Sequence, residues 1–145
     1  MIIQTAVICD AATAYLDKLN LLGAFDTIHA SSMPAVHPSC SVALRIIFER
    51  IEEGHHLLKL NLVDEDGKLL VPKMELPIHA PMPPDANFLS RNCIINFQNL
   101  KFEKPGYYSI DVALDNRHLT SIPLAVKLHA APGDAHAAPP PASQP

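Results

Sequence analysis

The chain has no tryptophan, and its five glycines are isolated at positions 23, 54, 67, 106 and 133. A phosphate-cradling loop needs glycines clustered in one turn, so nucleotide-binding signatures are excluded. Three cysteines, Cys9, Cys40 and Cys93, stand far apart, and no CxxC or CxH spacing offers a zinc site. An odd number of separated thiols suits a buried, reduced role and a cytoplasmic setting better than a disulfide framework. Lys and Arg number 11 against 15 Asp and Glu, for a formal charge of −4, and the basic residues occur singly. With no basic field to neutralise phosphates, nucleic acid is not an expected partner. No stretch reaches the roughly 20 apolar residues of a membrane span, so no membrane partner is expected either. The opening residues lack the cationic region of a secretory leader, and Gln4 and Asp10 interrupt the apolar run, so a first strand is predicted there.

What the chain does have is enough apolar material for one core: 145 residues, 48% hydrophobic and 18% charged. Fourteen prolines are scattered between short apolar runs, which suits many short strands and not long helices. In the opening segment Ile3, Thr5, Val7 and Cys9 share one face, and Gln4, Ala6 and Ile8 the other. Residues 10–17 can form a single helical turn, with Asp10 as cap and Ala11, Ala12 and Ala14 as helix formers. From Lys18, Leu19, Leu21 and Phe25 read as a strand bent at Gly23. Residues 30–38, with Pro34 and Pro38, read as a crossover loop.

Val42, Leu44, Ile46 and Phe48 alternate along the clearest core-facing strand, and Leu58, Leu60 and Leu62 along a second. Asp66-Gly67 then predicts a hairpin, with apolar character resuming over residues 68–71. Prolines 77, 81, 83 and 84 make residues 77–87 a second crossing. Ile95 and Phe97, then Leu100 and Phe102, change phase around Asn99. Tyr108 follows a Pro105-Gly106 turn, where a tyrosine of a Greek-key sandwich folds its hydroxyl back onto the preceding loop. Asp115-Asn116 makes a tight turn, and Ile122, Leu124 and Val126 form the last strand. The pattern predicts an all-β fold, an immunoglobulin-like Greek-key β-sandwich of about seven to eight strands over residues 1–128. A disordered Pro/Ala-rich tail over residues 129–145 follows, in which Pro139-Pro140-Pro141 could present a polyproline ligand but a spacer role is preferred.

The segments Leu19-Asn20-Leu21-Leu22-Gly23-Ala24-Phe25-Asp26, Asp64-Glu65-Asp66-Gly67, Pro105-Gly106-Tyr107-Tyr108 and Ile122-Pro123-Leu124-Ala125-Val126 resemble those of a bacterial family of small domains of unknown function. The resemblance implies a fold and carries no catalytic or binding residues. The tyrosine is similar to that of immunoglobulin-like domains, without their buried tryptophan and paired cysteines.

Four groups of residues are candidates for chemistry. Asp64, Glu65 and Asp66 are the only metal candidates, since clustered carboxylates suit calcium, but a charged hairpin turn explains them without further ligands. His55 and His56 point to opposite faces of a strand, and so read as exposed turn residues and not as one chelate. Cys40 with His37 would need a third, orienting group to make a nucleophile, and Ser90, Ser109 and Ser121 lack a nucleophile-elbow context. No catalytic or cofactor-binding residues are assigned. The sequence therefore reads as a non-enzymatic interaction or structural module, with another protein as partner and self-association open. The alternative is a calcium- or small-ligand-binding β domain. Residues 30–38 and 77–87 are the first choice of contact loops, because long ordered loops are often functional.

Overall fold

Period-two alternation decides which segments extend and which face each one buries. The computed structural model describes residues 1–129, and among them nine strands form: β1 (Ile2–Tyr15), β2 (Lys18–Phe25), β3 (Thr27–Ala30), β4 (Ala35–Glu49), β5 (Gly54–Val63), β6 (Met74–Ala80), β7 (Phe88–Phe102), β8 (Gly106–Leu114) and β9 (Arg117–Leu128). A 3₁₀ turn, Arg50–Glu52, separates β4 from β5. The strands lie in two sheets, ordered β2-β1-β4-β7 and β3-β9-β8-β5-β6, and every neighbouring pair is antiparallel except β3 with β9. The expected all-β, two-sheet architecture is borne out, with nine strands in place of seven or eight. The predicted tail lies outside the described residues from position 130 onward.

Between the sheets, Val42, Leu44, Ile46 and Phe48 of β4 meet Leu58, Leu60 and Leu62 of β5 and Ile110, Val112 and Leu114 of β8, all with no exposed surface. Ile122, Leu124 and Val126 of β9 complete the layer. Each such burial contributes roughly 1.5–3 kcal/mol, so this layer dominates the stability of the fold. In β1 a register shift between Ile3 and Thr5 moves the inward face onto Ala6 and Ile8, which corrects the simple alternation expected there.

Residues 10–17 form no helical turn. They continue β1 to Tyr15, turn on Leu16 and Asp17, and return as β2. A segment this short cannot hold a helix by itself, whereas strand pairing supplies its backbone hydrogen bonds at once. Both turn residues have left-handed φ angles, 49° and 59°, the geometry of the tight hairpin turn that matches strand twist. Gly23 bends the returning strand as expected, with φ of +66°; a Cβ there would lie 2.4 Å from Asp10 Oδ2. The bent hairpin folds over the outer face of the first sheet. It is held there by Arg45, whose Nη1 donates to the Asp17 carbonyl (2.8 Å) and to Asn92 Oδ1 (2.7 Å). Cys9 and Ala43 are thereby fully buried although they point away from the sandwich interior.

Two predicted loops are shorter than expected. Of residues 30–38 only 31–34 connect strands, because β4 already begins at Ala35; Pro38 occupies a gap in the β4–β7 ladder opposite Asn99, itself left-handed at φ 54°. Of residues 77–87 only 81–87 cross between sheets, because Pro77 is accommodated in the outermost strand β6. Past the Asp66-Gly67 turn the chain makes one bridge, Val63 with Leu69, before β6 starts.

The Tyr108 hydroxyl donates to the Lys104 carbonyl at 2.6 Å, and its ring meets Phe102 edge-on with centroids 5.0 Å apart. Tyr108→Phe keeps the ring and loses the bond, and should cost about 1 kcal/mol and about 4 °C of Tm in thermal melting. A conventional turn pair, Leu16→Asn with Asp17→Gly, should raise Tm by a similar amount, because Asn and Gly adopt the same left-handed φ with less strain. An unchanged or lowered Tm would show that the tip is not strained.

Candidate functional site

β7 and β6 are the terminal strands of their respective sheets, and residues of both line one cleft of about 590 Å³. Leu76 and His79 of β6 form one side, Ser90, Asn92 and Cys93 of β7 the other, and Leu16 and Asp17 reach in from the hairpin tip. Among the described residues β7 bonds only to β4 and β6 only to β5, so each has a main-chain edge with no described strand beside it. Such an edge presents a row of unpaired N–H and C=O groups. The β7 edge is long, 15 residues, and carries only Arg91 and Lys101 as charges.

Inside the cleft, burial pushes the Cys93 thiol up and the nearby Arg91 only partly offsets this, so the thiol stays protonated near neutral pH. The His79 ring stacks on His55, directly opposite on β5, at 4.4 Å and 14°. No hydrogen bond joins Cys93 to a base, so the residues described here do not compose an activated nucleophile. What the cleft offers is backbone hydrogen-bonding capacity beside apolar and polar side chains.

Of the residues singled out in the sequence, Ser90 and Cys93 line this cleft and the others fall elsewhere. Asp64 Oδ1 accepts from the Asp66 and Lys68 N–H groups, Glu65 Oε1 from Tyr107 N–H, and Asp66 Oδ2 lies 3.8 Å from Lys104 Nζ. The three carboxylates thus serve three separate sets of partners. Among the described residues no group of three or more His, Cys, Asp or Glu is placed to hold a metal. Cys40 is buried in the core, with its thiol pushed by burial up to about 11, while His37, opposite Leu100 beyond the irregularity at Pro38 and Asn99, sets its ring against Phe25 with centroids 5.5 Å apart. Ser109 and Ser121 both donate to Asp111 Oδ1, which leaves His118, 3.3 Å from Ser121 Oγ, without a carboxylate to orient it. Cys9 and Cys40 are buried and Cys93 half-buried, and all three are free.

His55 and His56 do point to opposite faces, but His56 is no exposed turn residue. Its ring stacks on Phe48, Nδ1 lies 2.5 Å from Asp115 Oδ2, and Nε2 lies 2.6 Å from the Glu52 carbonyl. The Glu52 carbonyl and the ionised Asp115 carboxylate are both acceptors, so this geometry favours the imidazolium form, which donates from both nitrogens. Asp115 also receives Leu57 N–H at 2.8 Å, tying the β8–β9 turn to the start of β5. Burial alone would lower the His56 pKa, but the bonds to Asp115 and Glu52 outweigh it and hold it above the usual 6.5. Burial likewise would raise Asp115, and the bonds from His56 and Leu57 hold it below its usual value.

These directions fix the pH window of the latch. The His56 contribution is complete below pH ~6.5 and is lost as pH rises through the raised folded value. The Asp115 contribution is complete above pH ~3.9 and is lost as pH falls through the lowered one. His56→Ala should therefore cost about 1–2 kcal/mol near pH 5–6, with the gap to the parent protein narrowing toward pH 9. Thermal melts across that range check it, and a pH-independent gap would leave only the lost ring packing.

The cleft, the His56 latch and two histidine pairs, His55 with His79 and His29 with His129, were invisible in the sequence because each depends on which strands neighbour one another. Among the described residues no helix is long and apolar enough to cross a membrane. No curated protein matches the chain. The family described as "Family of unknown function (DUF6941)" matches residues 4–127, which bears out the resemblance to small domains of unknown function, and the chain belongs to that family.

Proposed function

We propose that this chain is a non-enzymatic protein-interaction module that takes an extended segment of a partner protein along the open edge of β7. The observation that carries the reading is the 590 Å³ cleft flanked by two unpaired strand edges and overhung by the hairpin tip that Arg45 holds in place. Strand addition draws affinity from main-chain hydrogen bonds and specificity from pockets for alternate side chains, and the cleft offers both. Two features support reading the sandwich as immunoglobulin-like: the repeated crossings between sheets and the Tyr108 hydroxyl folded back on its loop. Three free thiols favour a reducing compartment, which we take to be the cytoplasm.

The test begins with affinity purification from the native host, followed by amide hydrogen exchange on the reconstituted complex. Exchange should slow along residues 88–97 when the partner binds, and Ser90→Glu with Ile94→Glu should weaken binding by about tenfold or more while leaving Tm near that of the parent. Protection confined to other strands, or undiminished binding by the folded variant, would overturn the proposal. A second copy of the chain giving the same protection would identify the segment as its own.

A further inference from the structure

We propose a divalent transition-metal site formed by His29 and His129. The two residues are 100 positions apart, and the parallel pairing of β3 with β9 brings them together at the outer edge of the second sheet. The register sets Ala30 beside Leu128, and His129 N–H donates to the Ala30 carbonyl at 2.8 Å, which fixes the backbone beneath both rings. His29 Nδ1 and His129 Nε2 then face each other at 2.5 Å, and both side chains are exposed.

Imidazole nitrogen is the preferred donor for zinc, nickel and copper among the protein side chains that suit these ions. Metal–nitrogen bonds of about 2.0–2.1 Å place two ligands on one ion roughly 2.9–3.3 Å apart. The pair needs to open by less than about 1 Å, within the reach of exposed rings. With both rings neutral, one ring's N–H lies between the two nitrogens. On metal entry that proton moves to the far nitrogen of its own ring, so two neutral imidazoles each give a lone pair to the ion and no net proton is released. Water completes the coordination on the open side. Lys127, opposite His29 in the register, is exposed and free to turn its ammonium group into solvent.

The other pair is a poor competitor. His55 and His79 lie face over face, ring planes 14° apart, so their in-plane lone pairs run alongside each other and do not converge. A metal on His29 and His129 would cross-link the short edge strand β3 to the end of β9, and binding to the folded state alone must raise stability.

Thermal melting and calorimetric titration of the full chain with zinc and nickel test the site. The expected result is one ion per chain and a rise in Tm, with metal-induced changes in the ring resonances of His29 and His129. His29→Ala and His129→Ala should each weaken binding by about tenfold or more. The conservative His29→Gln, matched in Tm to the parent without metal, guards against a folding defect. His55→Ala and His79→Ala should bind as the parent does. No rise in Tm at saturating metal, unchanged affinity in both His29 variants, or loss of binding in the His55 or His79 variant would overturn the proposal.

Discussion

The inward face of β4 is the constraint to which the other elements are referred. Val42, Leu44, Ile46 and Phe48 project from it at period two and have no exposed surface. A slip of one residue in its pairing would turn all four outward and bring Ala43, Arg45 and Ile47 in, so the register with β1 and β7 is fixed by burial and not by any single hydrogen bond. Once that register is set, the second sheet has a defined surface to cover. The leucines of β5 and the apolar positions of β8 take that surface.

The outer face of β4 is constrained by different means. Arg45 is the long polar side chain there, and it gathers Gln4, Asn92 and the Asp17 carbonyl around one guanidinium. A guanidinium offers five donors in a fixed plane, so it can hold groups from three segments without movement. The hairpin tip therefore sits where β4 directs it, beside β7. The candidate cleft is a consequence of two features of one strand: the inner face that stacks the sheets and the outer side chain that places the overhang.

Much of this was legible from residue pattern. The bend at Gly23, the phase change at Asn99, the Asp66-Gly67 and Asp115-Asn116 turns and the Tyr108 contact each depend on residues close together in the chain, whose chemistry declares itself locally. The hairpin tip was not legible. Asp17 suits a left-handed turn but Leu16 does not, no glycine or asparagine accompanies them, and the alanines nearby favour helix when read alone. Pro38 and Pro77 made loops seem longer than they are, because a proline's effect on a strand depends on whether a neighbour needs its missing N–H. His56 looked like a turn residue because Phe48, Glu52 and Asp115, which surround it, are assembled only by the sheet crossing and the β8–β9 turn.

The four sheet edges differ in how they are guarded, and the difference bears on where a partner would sit. β3 is only four residues long, β2 is bent at Gly23 and starts with Lys18, and β6 contains Pro77 and Glu75. Shortness, bends, charge and proline are the usual devices against unwanted strand pairing. β7 has Asn99 in a left-handed conformation near one end and Arg91 near the other, but the run between them, Asn92-Cys93-Ile94-Ile95-Asn96-Phe97-Gln98, has neither charge nor proline. That run is partly rich in β-formers and lies in a regular ladder with β4. The hairpin tip stands beside its first residues, and the cleft opens there. An unguarded edge of that length is a liability unless something specific pairs with it, and of the two edges that border the cleft under the hairpin tip, β6 carries Pro77 and Glu75 whereas this run of β7 carries neither charge nor proline. The physical case for a strand-adding partner rests on that exception.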